Sequence, residues 1–229
     1  MINIRRSDER GPADHGWLQS RHTFSFAGYY DPEHMGVSKL RVINDDKVSP
    51  GRGFGTHSHQ DMEIISYVKK GIIEHKDSMG NIEKLPAGEF QLMSAGTGVT
   101  HSEYNPSTTE PLAFLQIWIE PDTLGIQPGY QQKHFGTQQG MKLVVSPDGR
   151  DGSLRIQQNA SVYQLRLNKD ESASHLLAAG RTVYIHVVSG SVSVNGEQLN
   201  EGDGAEINQS DEINFSGLEC SETLVFDLP

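Results

Sequence analysis

Apolar and polar residues alternate along many short stretches of this chain. The runs at 40–45 (LRVIND), 62–68 (MEIISYV), 71–75 (GIIEH), 89–94 (EFQLMS) and 112–120 (LAFLQIWIE) are rich in Val, Ile, Leu, Phe and Tyr. So are 141–146 (MKLVVS), 162–167 (VYQLRL), 181–188 (RTVYIHVV), 191–194 (SVSV) and 223–228 (TLVFDL). Several show the period of two expected of strands with one buried face. Turn formers separate them: Asp77-Ser-Met-Gly80-Asn81, Pro147-Asp-Gly149 and Asn195-Gly196. The segment 194–197 (VNGE) reads as a tight hairpin. Amphipathic helical patterns are nearly absent. Many short strands with close turns predict an all-β chain built as a sandwich or barrel.

The pattern also repeats. Residues 67–92 and 186–207 share one plan of strand, Gly, strand, turn, strand, Leu, Gly, acid, strand. Gly71 matches Gly190, Leu85 matches Leu199, and Gly88-Glu89 matches Gly202-Asp203. Each glycine marks a turn that a Cβ would hinder. Two related β domains in tandem follow, with their boundary expected in the Gly/Pro/Gln-rich stretch 121–140.

Composition narrows the classes. The chain has 229 residues, 35% hydrophobic and 21% charged, which suits one large or two small globular domains. No apolar run approaches a spanning helix, and the N-terminus MINIRRSDERG lacks a signal-peptide core, so a cytoplasmic protein is expected. Cys220 is the only cysteine. It rules out an internal disulfide and thiolate-rich zinc or iron–sulfur sites, and Asn159-Ala-Ser161 carries little weight as a glycosylation signal. The net charge is −11 and the only adjacent basic pairs are Arg5-Arg6 and Lys69-Lys70, which disfavours direct nucleic-acid binding.

The candidate chemistry lies in 55–64 (GTHSHQDMEI) and 99–104 (VTHSEY). Residues i and i+2 of a strand share a face, so His57 projects beside His59, and His101 beside Glu103. If the two strands meet inside one barrel, three imidazoles and a carboxylate converge, a donor set for Fe, Ni, Cu, Zn or Mn rather than Ca or Mg. The plainer reading is four polar residues in strands; against it, burying unpartnered imidazoles and a carboxylate is expensive. Glu63 shares parity with His57 and His59 and is either a further ligand or a partner to one. His15, His22, His34, His75, His134, His175 and His186 are read as lacking an i,i+2 partner and as structural or exposed. Gly51-Arg-Gly53-Phe-Gly55 lacks the endings of phosphate loops and reads as a strand-entry turn. The aromatic stretch 22–30 (HTFSFAGYY) is assigned to core packing, with pocket lining as the other option.

The spacing Gly51-x5-His57-x-His59-x3-Glu63-x7-Gly71 resembles the first cupin motif, and Gly80-x5-Pro86-x-Gly88 the start of the second. That second motif would place a metal histidine at position 91, where this chain has Gln91. In the pirin branch of the cupins the remaining ligands come from a later His-x-Glu, here His101 and Glu103. The segments HGWLQSRHTFSFAGYYDPEHMG and LRVINDDKVSPGRGFGTHSHQDMEIISYV also look like pirin signatures, so the resemblance runs the length of the chain. It implies a bicupin of two jelly-roll-like antiparallel domains, a metal-binding one at 1–130 and one without ligands at 131–229. It implies one divalent transition metal on His57, His59, His101 and Glu103, iron first and Zn, Cu, Ni, Mn or Co as alternatives, with Glu63 set back. Bacterial members of this type are similar to quercetin 2,3-dioxygenases, which open a flavonol with O2 to a depside and carbon monoxide. Glu103 would then be the catalytic base for the flavonol 3-hydroxyl. Phe54, Met62, Phe114 and Trp118 are pocket candidates by proximity alone. The chain is expected to act as a monomer on a small aromatic substrate and O2, without nucleic acid or membrane. The alternative is a metal-binding, redox-sensing co-regulator of protein partners, as eukaryotic pirins are; a third reading leaves the metal purely structural.

Overall fold

A computed structural model describes residues 2–229. The chain is strands throughout, with two short 3-10 turns at Ser7–Glu9 and Arg150–Gly152 as the only helical elements among the described residues. Among the described residues no helix is long and apolar enough to cross a membrane.

Two compact units form. One holds Gly11–Gly136 together with Ile156–Gln158. Its seven-stranded sheet runs in the order Gly129–His134, Glu89–Ser94, Glu63–Lys70, Leu112–Ile119, Leu40–Val48, Leu18–His22, Gly11–Asp14. Its four-stranded sheet runs Gly53–His59, Val99–Tyr104, Ile72–Asp77, Ile82–Pro86. Leu18, Val48, Val68, Leu112 and Phe114 from the large sheet pack on Ile73 and Leu85 from the small one. A second apolar cluster joins Ile64, Met93 and Ala95 to Val99. Burying one face of each sheet against the other is what makes the pair stable.

The other unit holds the N-terminal segment through Arg10, Thr137–Arg155 and Asn159–Pro229. It repeats the plan: a seven-stranded sheet, and a four-stranded sheet ordered Ser172–Leu176, Glu212–Gly217, Ser191–Val194, Glu197–Asn200. One cluster that includes Leu165, Val187, Val192, Val194, Phe215 and Val225 fills it. The glycines matched in the sequence repeat do the same work. Gly71 (φ 83°) and Gly190 (φ 74°) are both left-handed at the turn between two strands, where the neighbouring chain leaves no room for a Cβ.

The expected division at 130/131 needs correction. It would cut Gly129–His134, whose backbone pairs along Glu89–Ser94. The sequence GYQQKH is polar and takes the sheet edge, so it carries no burial signal. The first strand, Ile2–Arg5, belongs with the second unit because it pairs with Gly204–Ile207. In turn Ile156–Gln158 returns to the first, where the Gln158 amide donates to the Glu120 carbonyl at 2.7 Å.

Candidate metal centre

The small sheet of the first unit is the platform of the site. The register pairs His57 with His101, Val99 with His59, His101 with Asp77, and Glu103 with His75. Because side chains alternate faces, one face collects His57 and His59, His101 and Glu103, and His75 and Asp77 from three adjacent strands. A bulge between His101 and Glu103 sets Glu103 opposite Phe54. Gly53 lets the first strand lie close, since a Cβ there would collide with the Glu103 carbonyl and the Tyr104 backbone.

Two ligand groups result, each with its donor atoms within 4.8 Å of one another: His57, His59 and His101; and His75, His101 and Glu103. The four residues singled out in the sequence therefore do not close into one equally tight set. His101 joins the histidine pair to Glu103.

The histidines are prepared to donate lone pairs. His57 Nδ1 donates to the Gly55 carbonyl at 2.8 Å, which leaves Nε2 as the free lone pair, 3.1 Å from His101 Nε2. Burial, with His57 beside it, pushes His59 down to about 4. Burial, then His57, His59 and His75, push His101 down to about 3. Both are neutral at neutral pH. His59 Nε2 and His101 Nδ1 are buried with no hydrogen-bond partner. The unsatisfied His59 Nε2, in a group of three imidazoles whose donor atoms lie within 4.8 Å of one another, fits a divalent transition metal.

Glu103 is buried, and its oxygens accept from Ser66 Oγ at 3.2 Å and Gln116 Nε2 at 3.0 Å. Burial raises its carboxyl to about 7, helped by the Asp46 charge and opposed by those two donors. Asp46 is itself raised to about 7, chiefly by burial. The sequence reading missed it because the strand pairing that brings it close is long-range.

Glu63 belongs to neither group. It accepts from Ser94 Oγ at 2.9 Å and from the Gln157 backbone at 3.3 Å. Gln91 is fully buried and its Oε1 accepts from the Tyr130 hydroxyl at 3.3 Å. His75 is the residue the sequence reading misplaced: it does have an i,i+2 partner, Asp77, and His75-Lys-Asp77 repeats the His-x-acid spacing of His101-Ser-Glu103.

Of the pocket candidates, Trp118 sets its ring edge-on to His59 at 5.0 Å, and Phe26 from the aromatic stretch packs on Trp118 at 5.4 Å. Met62 packs in the same apolar group as Trp118. Phe114 is sealed in the core and Phe54 packs between it and Trp17. A cleft of about 490 Å³ lined by Ser58, His59, Gln60, Gly98, Val99 and Thr100 opens beside His59.

A family model described as Pirin matches residues 3–119, and one described as the quercetinase C-terminal cupin domain matches 143–228. The chain belongs to the pirin family. It is 56% identical to the quercetin 2,3-dioxygenase of Escherichia coli K12, over 100% of this chain and 99% of that protein. A pirin-like protein of Caulobacter vibrioides is 42% identical over 99% of both. The crystal structure of the Escherichia coli bacterial pirin YhhW in complex with nickel(II) superposes with a TM-score of 0.98 at 55% identity, covering 100% of this chain and 99% of that one.

Proposed function

We propose that this pirin is a metal-dependent quercetin 2,3-dioxygenase: flavonol plus O2 gives a depside and carbon monoxide. The observation that carries the reading is the convergence of three imidazoles on one sheet face, in a chain 56% identical to a quercetin 2,3-dioxygenase. His57, His59, His101 and Glu103 hold one divalent ion. Iron is our first assignment, and the nickel(II) complex of the relative makes nickel the next. When bound, the ion supplies Lewis acidity toward the flavonol 3-oxygen.

The chain's own residues do the rest. Gly55 fixes the ring of His57 through Nδ1, so its Nε2 faces the centre. Glu103 accepts the proton of the 3-hydroxyl. Ser66 and Gln116 donate to its oxygens and hold the carboxylate in place for that task. Trp118 and Phe26 offer an aromatic wall beside His59 for a flat substrate. The protein works as a monomer in the cytoplasm on small molecules; the net charge of −11 and the free Cys220 support this.

Metal-loaded protein incubated aerobically with quercetin should bleach the flavonol absorbance and release one carbon monoxide per flavonol. Chelation should stop both. A fully loaded protein that leaves quercetin intact would sink the reading.

A further inference from the structure

His75 lies wholly buried in the strand Ile72–Asp77. Its Nε2 donates to Asp77 Oδ2 at 2.9 Å. Asp77 is pinned in turn by the Asn81 side-chain amide at 2.8 Å and by the backbone N–H groups of Met79 and Asn81. That leaves His75 Nδ1 with a lone pair, and the atom is buried without a hydrogen-bond partner. An imidazole backed by a carboxylate, with its other nitrogen open, is the arrangement that orients metal-bound histidines. His101 Nδ1 is likewise buried and unpartnered. Leaving a buried nitrogen unpaired is costly, so two of them beside a carboxylate call for a ligand. Glu103 completes the group, opposite His75 in the strand register.

We infer that His75, His101 and Glu103 form a second, inner metal seat that takes a borderline divalent cation on two nitrogens and one carboxylate. It shares His101 and Glu103 with the centre under Proposed function and rests on that reading to this extent. All three of its residues are buried, whereas His57 and His59 are only half-buried. An ion in the inner seat lies deeper and leaves the His57–His59 pair free. The donor set favours Ni, Co, Zn or Fe over Ca and Mg. The protein therefore offers one ion two positions linked by His101.

The test removes the outer pair. Chelated His57→Ala/His59→Ala protein is titrated with cobalt(II), read by visible absorption, and its metal content is measured after gel filtration; thermal unfolding checks the fold. The expected result is one cobalt per chain, bound no more than about a hundredfold more weakly than by the wild type. Adding His75→Phe should abolish it, and Asp77→Asn should weaken it by about 10- to 100-fold. Anomalous diffraction from the double variant should place the ion beside His75. A folded double variant that takes up no cobalt overturns the inner seat, as does cobalt binding indifferent to both His75→Phe and Asp77→Asn. Wild-type protein is titrated in parallel. If it binds cobalt and the double variant does not, only the inner seat fails; if neither binds, the metal centre itself fails.

Discussion

The two units share one sheet plan and fill equivalent places between their sheets with different chemistry. The repeat that matches Gly71 with Gly190 also matches His75 with Val194, Ser66 with Ile185 and, through Glu89 and Asp203, Gln91 with Ala205. In the second unit Val194, Ile185 and Ala205 lie in one apolar cluster with Val192, Ile213 and Phe215. In the first, the same places hold a histidine tied to Asp77, a serine donating to Glu103, and a glutamine accepting from Tyr130. The scaffold thus tolerates either solution. The apolar one gains burial energy directly. The polar one forgoes part of it and recovers stability when an ion binds, since any ligand specific to the folded state adds RT ln(1 + [L]/Kd). The second unit's His175, tied to Asp227, has no further His, Cys or carboxylate partners that would make a ligand group with it among the described residues. Among the described residues both ligand groups lie in the first unit.

The largest break in this comparison comes at His101, the residue common to both groups. His101→Ala should lower quercetin turnover to about a thousandth or less of wild type, because the Lewis-acid contribution of several kcal/mol goes with the ion. Steady-state absorbance kinetics with measured metal content would check it.

Next in size is Asp46→Asn. Asp46 rises on folding from its ordinary 3.8 to about 7, mainly through burial, with Asp45 adding to the shift and Ser20 opposing it. The folded chain therefore binds that proton more tightly than the unfolded one. The stabilisation is complete below pH 3.8 and is lost as pH rises through about 7. At about 1.4 kcal/mol per pH unit, the stability difference should swing toward the asparagine variant by roughly 3–4 kcal/mol between pH 4 and pH 7. Urea unfolding of the two metal-free proteins across that range measures it, and parallel curves would refute the assignment.

The converse exchange tests the apolar side. Val194→His places an imidazole where no Asp77 stands behind it, inside a sealed cluster. It should destabilise by about 3 kcal/mol, and nickel or cobalt should not restore the loss. Recovery on adding metal would show that the second unit can be converted by one residue.

Particular residues explain what the sequence disclosed. Strands were legible where burial imposes a period of two, as on Ile72–Asp77, or a short apolar run, as on Leu112–Ile119. His57, His59, His101 and Glu103 were legible for the same reason: ligands on a strand must also recur every second residue. His75 obeys that rule with Asp77, but the pair stands outside the motifs that mark the other four residues. Gly129–His134 was hidden because an edge strand of polar residues has no alternation to read. The approach of Asp46 to Glu103 and the pairing of Ile2–Arg5 with Gly204–Ile207 depend on long-range register, which spacing along the chain does not encode.

The finest test is Ser66→Ala. It keeps Glu103 and all the histidines and deletes one neutral donor, the hydroxyl 3.2 Å from Oε1. The corresponding place in the second unit, Ile185, has no such donor, so the variant moves the first unit one step toward the second. A donor to a carboxylate stabilises its charged form, and Ser66 is among the groups that hold the Glu103 carboxyl down against burial. Without it the carboxyl is pushed further up. The loss is worth about 1 kcal/mol, or at most about a fivefold drop in turnover at pH 7. Because Glu103 must be charged to take the flavonol proton, the rate should recover as pH rises toward 9, and the acidic limb of the kcat/KM profile should move to higher pH. A uniform loss at every pH would mean that Ser66 only packs the strand, and Glu103 would lose its place as the base.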